Sequence, residues 1–379
     1  MLIKDLPTPH LVLDRRKLES NQARMRARAA ELGVRLRPHG KTAKSAEVVR
    51  RAVGDGPLAV TVSTLREAHY FAENGIRDIV DANCIAPNRL PEAAALLREG
   101  VDLAITIDSP DVAAEVVRVG QGQGVRFAVM LEVDVGEHRG GVAPESEALL
   151  AAARVLHEGG MEVRGVLAHA GHTYGCTDAD AVAAIAEAER AGAVTAAERI
   201  RSTGIPCREV SVGSTPGALF ARHLEGVTEF RPGVYMFMDL FQAGVGCCGL
   251  DDIALSVLSS VINHRTAEGT AHIDAGGLAL SKDRSTASQP TDRHYGLVTD
   301  VAGAPFPNLT VEAVHQEHGR LGGPGGVPFE VLPIGARVRV LPNHACMTAA
   351  MYERYAVVDG TDLGEDQPVV EFWGRVNGW

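Results

Sequence analysis

The fold of this 379-residue chain is decided by the stretch Val34-Arg35-Leu36-Arg37-Pro38-His39-Gly40-Lys41-Thr42. Its alternating apolar residues predict a β-strand, and the glycine that follows predicts a turn into a helix. Lys41 is then an amine at the carboxyl end of a strand. Only five of the 37 basic residues are lysines, so few amines are available for chemistry. An amine in this place can form a Schiff base with an aldehyde cofactor such as pyridoxal phosphate, and the alternative is an ordinary surface lysine at a helix start.

Outward from this stretch, short β-branched segments alternate with helical segments rich in Ala, Glu and Arg. Eight such βα units predict a (β/α)8 TIM barrel of the α/β class, since right-handed crossovers allow the sheet to close. A doubly wound open sheet is the alternative. A helix over 14–32 precedes the first strand. The barrel strands are predicted near Val34–Pro38, Leu58–Ser63, Asp78–Asn83, Leu103–Asp108, Phe127–Asp134, Arg164–His169, Glu209–Gly213 and Val227–Arg231.

After about residue 244 the alanine-rich helical texture gives way to β-rich and turn-rich sequence. This change predicts a barrel domain over 14–243, which would contain the pyridoxal phosphate site at Lys41, and a second, mostly β domain formed by 1–13 and 244–379. The extended segment Thr8–Asp14 is expected to pair with the second sheet, and the glycine-rich segment Gly322–Gly326 is expected to be a loop. The strands of the second domain are predicted at Ile253–Asn263, Ala271–Ala275, Arg337–Leu341 and Ala356–Val358.

Composition narrows the class of protein. The net charge of −11 argues against nucleic acid as a partner, and an apolar fraction of 45% is ordinary for a globular protein. No run of 18 apolar residues or signal-peptide core is present, which predicts no membrane partner and a cytoplasmic location. The six cysteines form no C-x-x-C pair, so neither a disulfide framework nor a four-cysteine zinc site is favoured.

In a TIM barrel the chemistry lies at the carboxyl ends of the strands, so the polar residues there are the candidate site. After the fifth and sixth strands these are Arg139 and His169. The segments after the seventh and eighth strands, Gly213–Gly217 and Arg231–Tyr235, are rich in small residues and open a helix, which suits a phosphate. The alternative for Ser214 and Thr215, which precede a proline, is an ordinary helix cap.

These motifs carry a family resemblance over nearly the whole chain. Together with Arg37-Pro38-His39-Gly40-Lys41-Thr42, His169-Ala170-Gly171 and Pro342-Asn343-His344-Ala345-Cys346, they resemble the D-serine dehydratase and D-threonine aldolase group. That group consists of fold-type III pyridoxal phosphate enzymes with an alanine-racemase-like barrel. The final motif is most similar to the branch containing the D-threo-3-hydroxyaspartate and D-serine dehydratases.

The resemblance implies a role for each cofactor candidate. Lys41 would hold pyridoxal phosphate as a Schiff base and act as the base on the Cα proton of a D-amino acid. Arg139 would lie by the phenolic oxygen of the cofactor, unless it is a surface turn cation, and Arg231 would meet the pyridine nitrogen. His169 would pack by the ring and Tyr174 would contact the cofactor. The phosphate contacts implied are Ser214, Thr215, Gly233 and Val234.

The segment His344-Ala345-Cys346 is a candidate metal site. Residues i and i+2 of an extended segment point to the same side, and an imidazole with a thiolate suits zinc. A buried cysteine beside a structural histidine is the alternative. The resemblance favours a divalent metal (Zn, or Mn or Mg) bound by His344 and Cys346, because the dehydratases of the group carry a metal on His-x-Cys and the aldolases mostly show His-x-Asp.

These features predict a lyase that eliminates water from small D-3-hydroxy amino acids, such as D-threo-3-hydroxyaspartate or D-serine, and releases ammonia. Two alternatives stay open: aldol cleavage of the same substrates to glycine and an aldehyde, and a non-catalytic pyridoxal-phosphate-binding protein. The large C-terminal domain with His344 and Cys346 argues against the latter. The resemblance also implies a homodimer.

Overall fold

A computed structural model describes residues 1–176 and 178–379 of the chain, which form two compact units. One unit comprises Met1–Ala23 and Val234–Asn377, and the other comprises Arg24–Gly233 with Gly378–Trp379. The helices are α1 (Arg15–Leu32), α2 (Ala46–Val53), α3 (Leu65–Glu73), α4 (Leu90–Arg98), α5 (Pro110–Gln123), α6 (Glu147–Glu158), α7 (Ala179–Ser202), α8 (Thr215–Phe220), α9 (Leu240–Val245), α10 (Gly277–Leu280) and α11 (Ala345–Ala349). The strands are β1 (His10–Asp14), β2 (Arg35–Leu36), β3 (Ala59–Val62), β4 (Asp78–Cys84), β5 (Asp102–Ile107), β6 (Ala128–Val133), β7 (Glu162–Ala168), β8 (Glu209–Val212), β9 (Glu229–Phe230), β10 (Leu255–Arg265), β11 (Thr270–Ile273), β12 (Leu297–Thr299), β13 (Pro305–Val314), β14 (Gly319–Gly322), β15 (Arg337–Leu341), β16 (Arg354–Val358) and β17 (Val369–Gly374).

The unit Arg24–Gly233 contains an eight-stranded parallel sheet in the order β2-β9-β8-β7-β6-β5-β4-β3. Just after β2, His39 forms a parallel bridge with Thr61 of β3, which closes the curled sheet. The Gly40 N–H donates to the Thr61 carbonyl at 2.7 Å, and the Thr61 N–H donates to the Pro38 carbonyl at 3.0 Å. The predicted (β/α)8 barrel is confirmed, with each of its eight strands near the predicted position.

The barrel helices begin where the sequence supplies caps. The Ser109 hydroxyl accepts the Val112 N–H at the start of α5, and the Asp178 carboxylate accepts the Ala181 N–H at the start of α7. Such caps satisfy backbone donors that a helix leaves unpaired at its first turn. Because each helix returns the chain to the same end of the sheet, the carboxyl ends of the parallel strands meet at one mouth.

The other unit is built on a nine-stranded sheet in the order β11-β14-β13-β12-β15-β10-β1-β16-β17. Strand β10 pairs with β11 as well, so six antiparallel strands close into a ring. Strand β1 pairs antiparallel with β10 and parallel with β16. The expected pairing of the segment Thr8–Asp14 with the second sheet is therefore confirmed. Among the described helices, none combines the length and the apolarity that a membrane span requires.

Several elements of this unit differ from the sequence prediction. Strands β12, β13, β14 and β17 were not predicted. Strand β13 contains Pro305 and Pro307, which ordinarily mark an edge or an interruption, and β12 is only three residues long. Most of β17 is exposed, so it lacks the apolar alternation of a half-buried strand. Gly322 ends β14 and does not belong to the loop predicted over Gly322–Gly326.

Candidate active site

Lys41 lies in a turn at the mouth of the barrel, directly after the bridge that closes the sheet. The turn is tight because the Lys44 N–H donates to the Gly40 carbonyl at 2.7 Å. A Cβ at residue 40 would come within 2.7 Å of the Phe71 ring, so the approach requires glycine. The Lys41 side chain is exposed. The prediction that a helix starts at this point was wrong, because α2 begins only at Ala46 and the closing turn intervenes.

His169, directly after β7, is a half-buried neutral imidazole surrounded by cations. Burial is the main cause that lowers its pKa to about 3, and the charges of Lys41, Arg139 and Arg231 lower it further. The His169 Nδ1 atom lies 2.7 Å from the Gly213 carbonyl oxygen, so Nδ1 carries the hydrogen and donates it. The structure therefore brings these four predicted site residues within electrostatic reach of one another.

Arg231 is anchored beneath the mouth. Its guanidinium donates to the Ser211 hydroxyl and to the Ala168 carbonyl, both at 2.6 Å. Burial lowers its pKa to about 10, which still leaves a cation at neutral pH. Arg139 is more than half exposed and lies 3.3 Å from a Glu137 carboxylate oxygen. The predicted contacts of Arg139 and Arg231 with a cofactor ring stay predictions.

The two segments predicted to bind phosphate each contain a glycine that is packed against another part of the chain. Gly213 has a φ of 134°, and a Cβ there would lie 2.8 Å from the backbone nitrogen of Arg231. A Cβ at Gly233, the residue before Val234, would meet the Thr42 hydroxyl at 3.0 Å. Glycine is thus required at both positions by the packing of the protein itself, and the phosphate contacts of Gly233 and Val234 stay predictions.

The helix-cap alternative also describes part of this site. The Ser214 hydroxyl accepts the Gly217 N–H at 3.0 Å and so caps α8. Thr215 is fully buried, and α8 is only six residues long. Tyr174 is half-buried in the short turn Gly171–Gly175 that follows β7. The phosphate contacts of Ser214 and Thr215 and the cofactor contact of Tyr174 stay predictions.

Another cluster at the strand ends was not predicted. The ligand atoms of Cys84 in β4, Asp108 just after β5 and Glu132 in β6 all lie within 4.8 Å of one another. Burial and the neighbouring Glu132 carboxylate raise the pKa of the Cys84 thiol, and its Sγ donates to Glu132 Oε2 at 2.9 Å. The protonated thiol is thus already paired, although the donor set could also hold a cation.

His344 and Cys346 lie in the unit that contains Val234–Asn377. His344 has an extended backbone and occupies the position before the first residue of α11, and Cys346 lies inside that helix. The prediction that an extended segment aligns the two side chains was therefore wrong. The helix starts here because the Asp239 carboxylate accepts the Ala345 N–H at 2.9 Å. His344 and Cys346 nevertheless share a hydrogen bond.

Asp283 fixes the orientation of His344. Its Oδ2 lies 2.9 Å from His344 Nδ1, and its Oδ1 accepts the Ser285 N–H at 2.8 Å. Burial opposes protonation, but the hydrogen bonds to Asp283 and Cys346 raise the pKa of His344 to about 11. Histidines that bind metals commonly hold a carboxylate on the second ring nitrogen. The donor set of His344 and Cys346 therefore fits a divalent metal such as zinc.

Comparison with known proteins covers both units. Residues 13–240 match the family of the alanine racemase N-terminal domain, and residues 254–358 match a serine dehydratase domain. The chain is 45% identical to the D-threo-3-hydroxyaspartate dehydratase of Delftia sp. (strain HT23), over 99% of this chain and 98% of that protein. The chain belongs to the D-serine dehydratase family. The family consists of pyridoxal-phosphate-dependent lyases with an alanine-racemase-like fold.

Further members of the D-serine dehydratase family are also similar to this chain over nearly its whole length. The D-serine dehydratase of Dictyostelium discoideum is 29% identical, over 94% of each chain. A solved structure of a D-threo-3-hydroxyaspartate dehydratase, a cysteine-to-alanine variant in the metal-free form, is 43% identical with a TM-score of 0.96 and covers the whole of both chains. In this chain the first family region contains every cofactor candidate from Lys41 to Val234, and the second contains both metal candidates.

Sequence reasoning missed Asp283, which contacts His344, and Glu189, which accepts the Gly213 N–H. Asp283 has no signal in the sequence, because it lies in a polar loop far along the chain from His344. Glu189, in contrast, does have a signal in the sequence. It lies on the apolar stripe of α7 at helical spacing from the buried residues Ala186 and Ala193. An acid on such a stripe indicates a buried carboxylate with a defined partner.

Proposed function

We propose that this protein is a pyridoxal-phosphate- and divalent-metal-dependent dehydratase of D-3-hydroxy amino acids, with D-threo-3-hydroxyaspartate or D-serine as substrate. The observation that carries the proposal is the pair of His344 and Cys346, oriented by Asp283, in the serine dehydratase region of a chain 45% identical to such an enzyme. Loss of water from the substrate gives an enamine, which hydrolyses to a 2-oxo acid and ammonia.

Lys41 has two tasks in this proposal. Its amine would hold the cofactor through the aldehyde, and its Nζ would accept the Cα proton of the substrate. Pyridoxal phosphate, when bound, withdraws electrons from Cα and so acidifies this hydrogen. The imidazole of His169 is oriented by its hydrogen bond to the Gly213 carbonyl, and because it is neutral it adds no charge of its own.

His344 and Cys346 are the side chains that would hold the metal, which supplies Lewis acidity for departure of a hydroxide group. A cysteine-to-alanine variant of a relative is known in the metal-free form, which supports this assignment. Asp283 leaves His344 one ring nitrogen for metal binding, since the other is hydrogen-bonded. The remaining cofactor contacts of Arg139, Tyr174, Ser214, Thr215, Arg231, Gly233 and Val234 belong to the same proposal.

The homodimer, the cytoplasmic location and the domain division into 14–243 and 1–13 plus 244–379 are also retained as proposals. The homodimer rests on the family resemblance, and the domain division rests on the change of sequence texture near residue 244. Light scattering or sedimentation tests the first directly. A monomer with full activity would contradict it.

The experiment that tests the function combines absorbance and product analysis. Wild-type protein and Lys41→Ala are mixed with pyridoxal phosphate and a divalent metal, and then with D-threo-3-hydroxyaspartate, D-serine or D-threonine. We expect an absorbance band in the wild type alone and a 2-oxo acid with equimolar ammonia as products. Glycine with an aldehyde would indicate aldol cleavage. Lack of turnover of every substrate would indicate a non-catalytic cofactor-binding protein.

A further inference from the structure

Glu189 is a buried acid with two backbone partners at the mouth of the barrel. It lies on α7, and only 2% of its surface is exposed. Its Oε1 accepts the Ala170 N–H and the Gly213 N–H, each at 3.0 Å. Ala170 follows β7 and Gly213 follows β8. One carboxylate oxygen therefore ties together the segments that leave two adjacent strands.

Gly213 is held at both of its polar atoms. Glu189 accepts its N–H, and His169 Nδ1 donates to its carbonyl at 2.7 Å. Its φ of 134° is open only to glycine among ordinary residues. Gly213, the first residue of the predicted phosphate segment Gly213–Gly217, is thus fixed from two sides.

The carboxylate occupies a place that is costly for a charge. Burial raises the pKa of Glu189 to about 7, and the nearby Glu137 raises it too, whereas the two backbone N–H groups and Arg231 lower it. The other residues on this face of α7 are alanines and aliphatic side chains. An apolar residue at this position would avoid the cost of burying a charge. We therefore attribute the presence of the acid to the two hydrogen bonds that its oxygen accepts.

We infer that Glu189 is a positioning residue for the phosphate of the cofactor, an inference that rests on the proposed function. Glu189 acts through the backbone of Gly213, which sets the direction of the segment beginning at Ser214. The essential property is the hydrogen-bond acceptor, because both partners are N–H donors. A glutamine retains a carbonyl oxygen at this position, and an alanine does not.

The test compares two ligands that differ only in the phosphate. Full-length wild type, Glu189→Gln and Glu189→Ala are titrated with pyridoxal phosphate and with pyridoxal, and the absorbance band gives the dissociation constants. Loss of two hydrogen bonds to a carboxylate predicts that Glu189→Ala binds pyridoxal phosphate at least about tenfold more weakly. Its affinity for pyridoxal should change little. Glu189→Gln should keep the wild-type ratio of the two constants within about threefold.

Glu198→Ala is the matched control, because Glu198 is an exposed acid on the same helix. It should bind both ligands as the wild type does. Thermal unfolding of each variant identifies any that fail to fold, and Glu189→Gln then carries the comparison. Equal weakening of both ligands in Glu189→Ala, or no weakening of either, would overturn the inference. Absence of a band with pyridoxal phosphate in the wild type would instead contradict the proposed function.

Discussion

Gly40 and Phe71 are in such close contact that the ring excludes any side chain at residue 40. A Cβ there would come within 2.7 Å of Phe71 Cε2 and within 2.9 Å of Val60. Gly40 precedes Lys41 and donates its N–H across the seam that closes the barrel. The packing that requires glycine at residue 40 therefore also fixes the position of Lys41, the proposed cofactor lysine.

We therefore expect Gly40→Ala to displace the Lys41 turn. Forcing a methyl group into a packed site costs roughly 1–3 kcal/mol of stability. The cofactor band should weaken along with the melting temperature. Gly122→Ala is the control, because nothing lies within 4 Å of a Cβ at that helical position. A Gly40→Ala protein with a normal band and normal stability would contradict the packing account.

Removing the Asp283 carboxylate tests the orientation of His344. Asp283→Asn should weaken metal binding about 10- to 100-fold, the usual effect of losing the carboxylate behind a metal-binding histidine. Competition with a chelator measures this affinity without any turnover. Asp251→Asn, at an exposed acid of the same unit, should leave it unchanged. Equal metal affinities in wild type and Asp283→Asn would exclude this role.

Two cysteine variants separate the two possible metal sites. We expect Cys346→Ala to lose bound metal, because it removes one of two protein ligands. Cys84→Ala should keep the metal, since the Cys84 thiol is protonated and paired with Glu132. Metal analysis of both purified proteins decides between them. Metal retained by Cys346→Ala and lost from Cys84→Ala would move the site to the barrel mouth.

Glu229 forms a buried ion pair in the barrel interior, with its Oε2 2.9 Å from Arg37 Nε. Burial opposes ionisation, but Arg37 and Arg35 lower the pKa of Glu229 to about 2. Its stabilisation is therefore present above the unfolded value of 4.5 and is lost as pH falls toward 2. Breaking a buried pair on one side costs about 3–5 kcal/mol.

We accordingly expect Glu229→Gln to unfold at lower denaturant concentration than the wild type near pH 7, with a smaller difference as pH falls below 4.5. Urea unfolding at several pH values measures this. Glu115→Gln, which breaks an exposed pair with Arg118, should show no measurable change. A difference between Glu229→Gln and wild type that is constant with pH would count against the ion pair.

The sequence predicted those features that depend on local periodicity. The barrel followed from eight apolar segments, and the position of Lys41 followed from Gly40 and the strand before it. The proline-containing strand β13 and the short β12 were missed because their pairing partners, and not their own residues, make them strands. The interruption between Lys41 and α2 was missed because closure of the barrel at Thr61 is a long-range contact.

The same distinction between local patterns and long-range contacts applies to the residues of the candidate site. His344 and Cys346 were predicted from their spacing of two residues together with the family resemblance, although they occupy a helix start and not an extended segment. Asp283 was not found, since 61 residues separate it from His344. Glu189 could have been found from its place among the alanines of α7, but its partners Ala170 and Gly213 could not.

The most direct measurement is product analysis after incubation of the metal-loaded protein and pyridoxal phosphate with D-threo-3-hydroxyaspartate. The account predicts a 2-oxo acid and ammonia in equal amounts with the wild type, and no product with Lys41→Ala. Formation of glycine and an aldehyde, or undiminished turnover by Lys41→Ala, would contradict it.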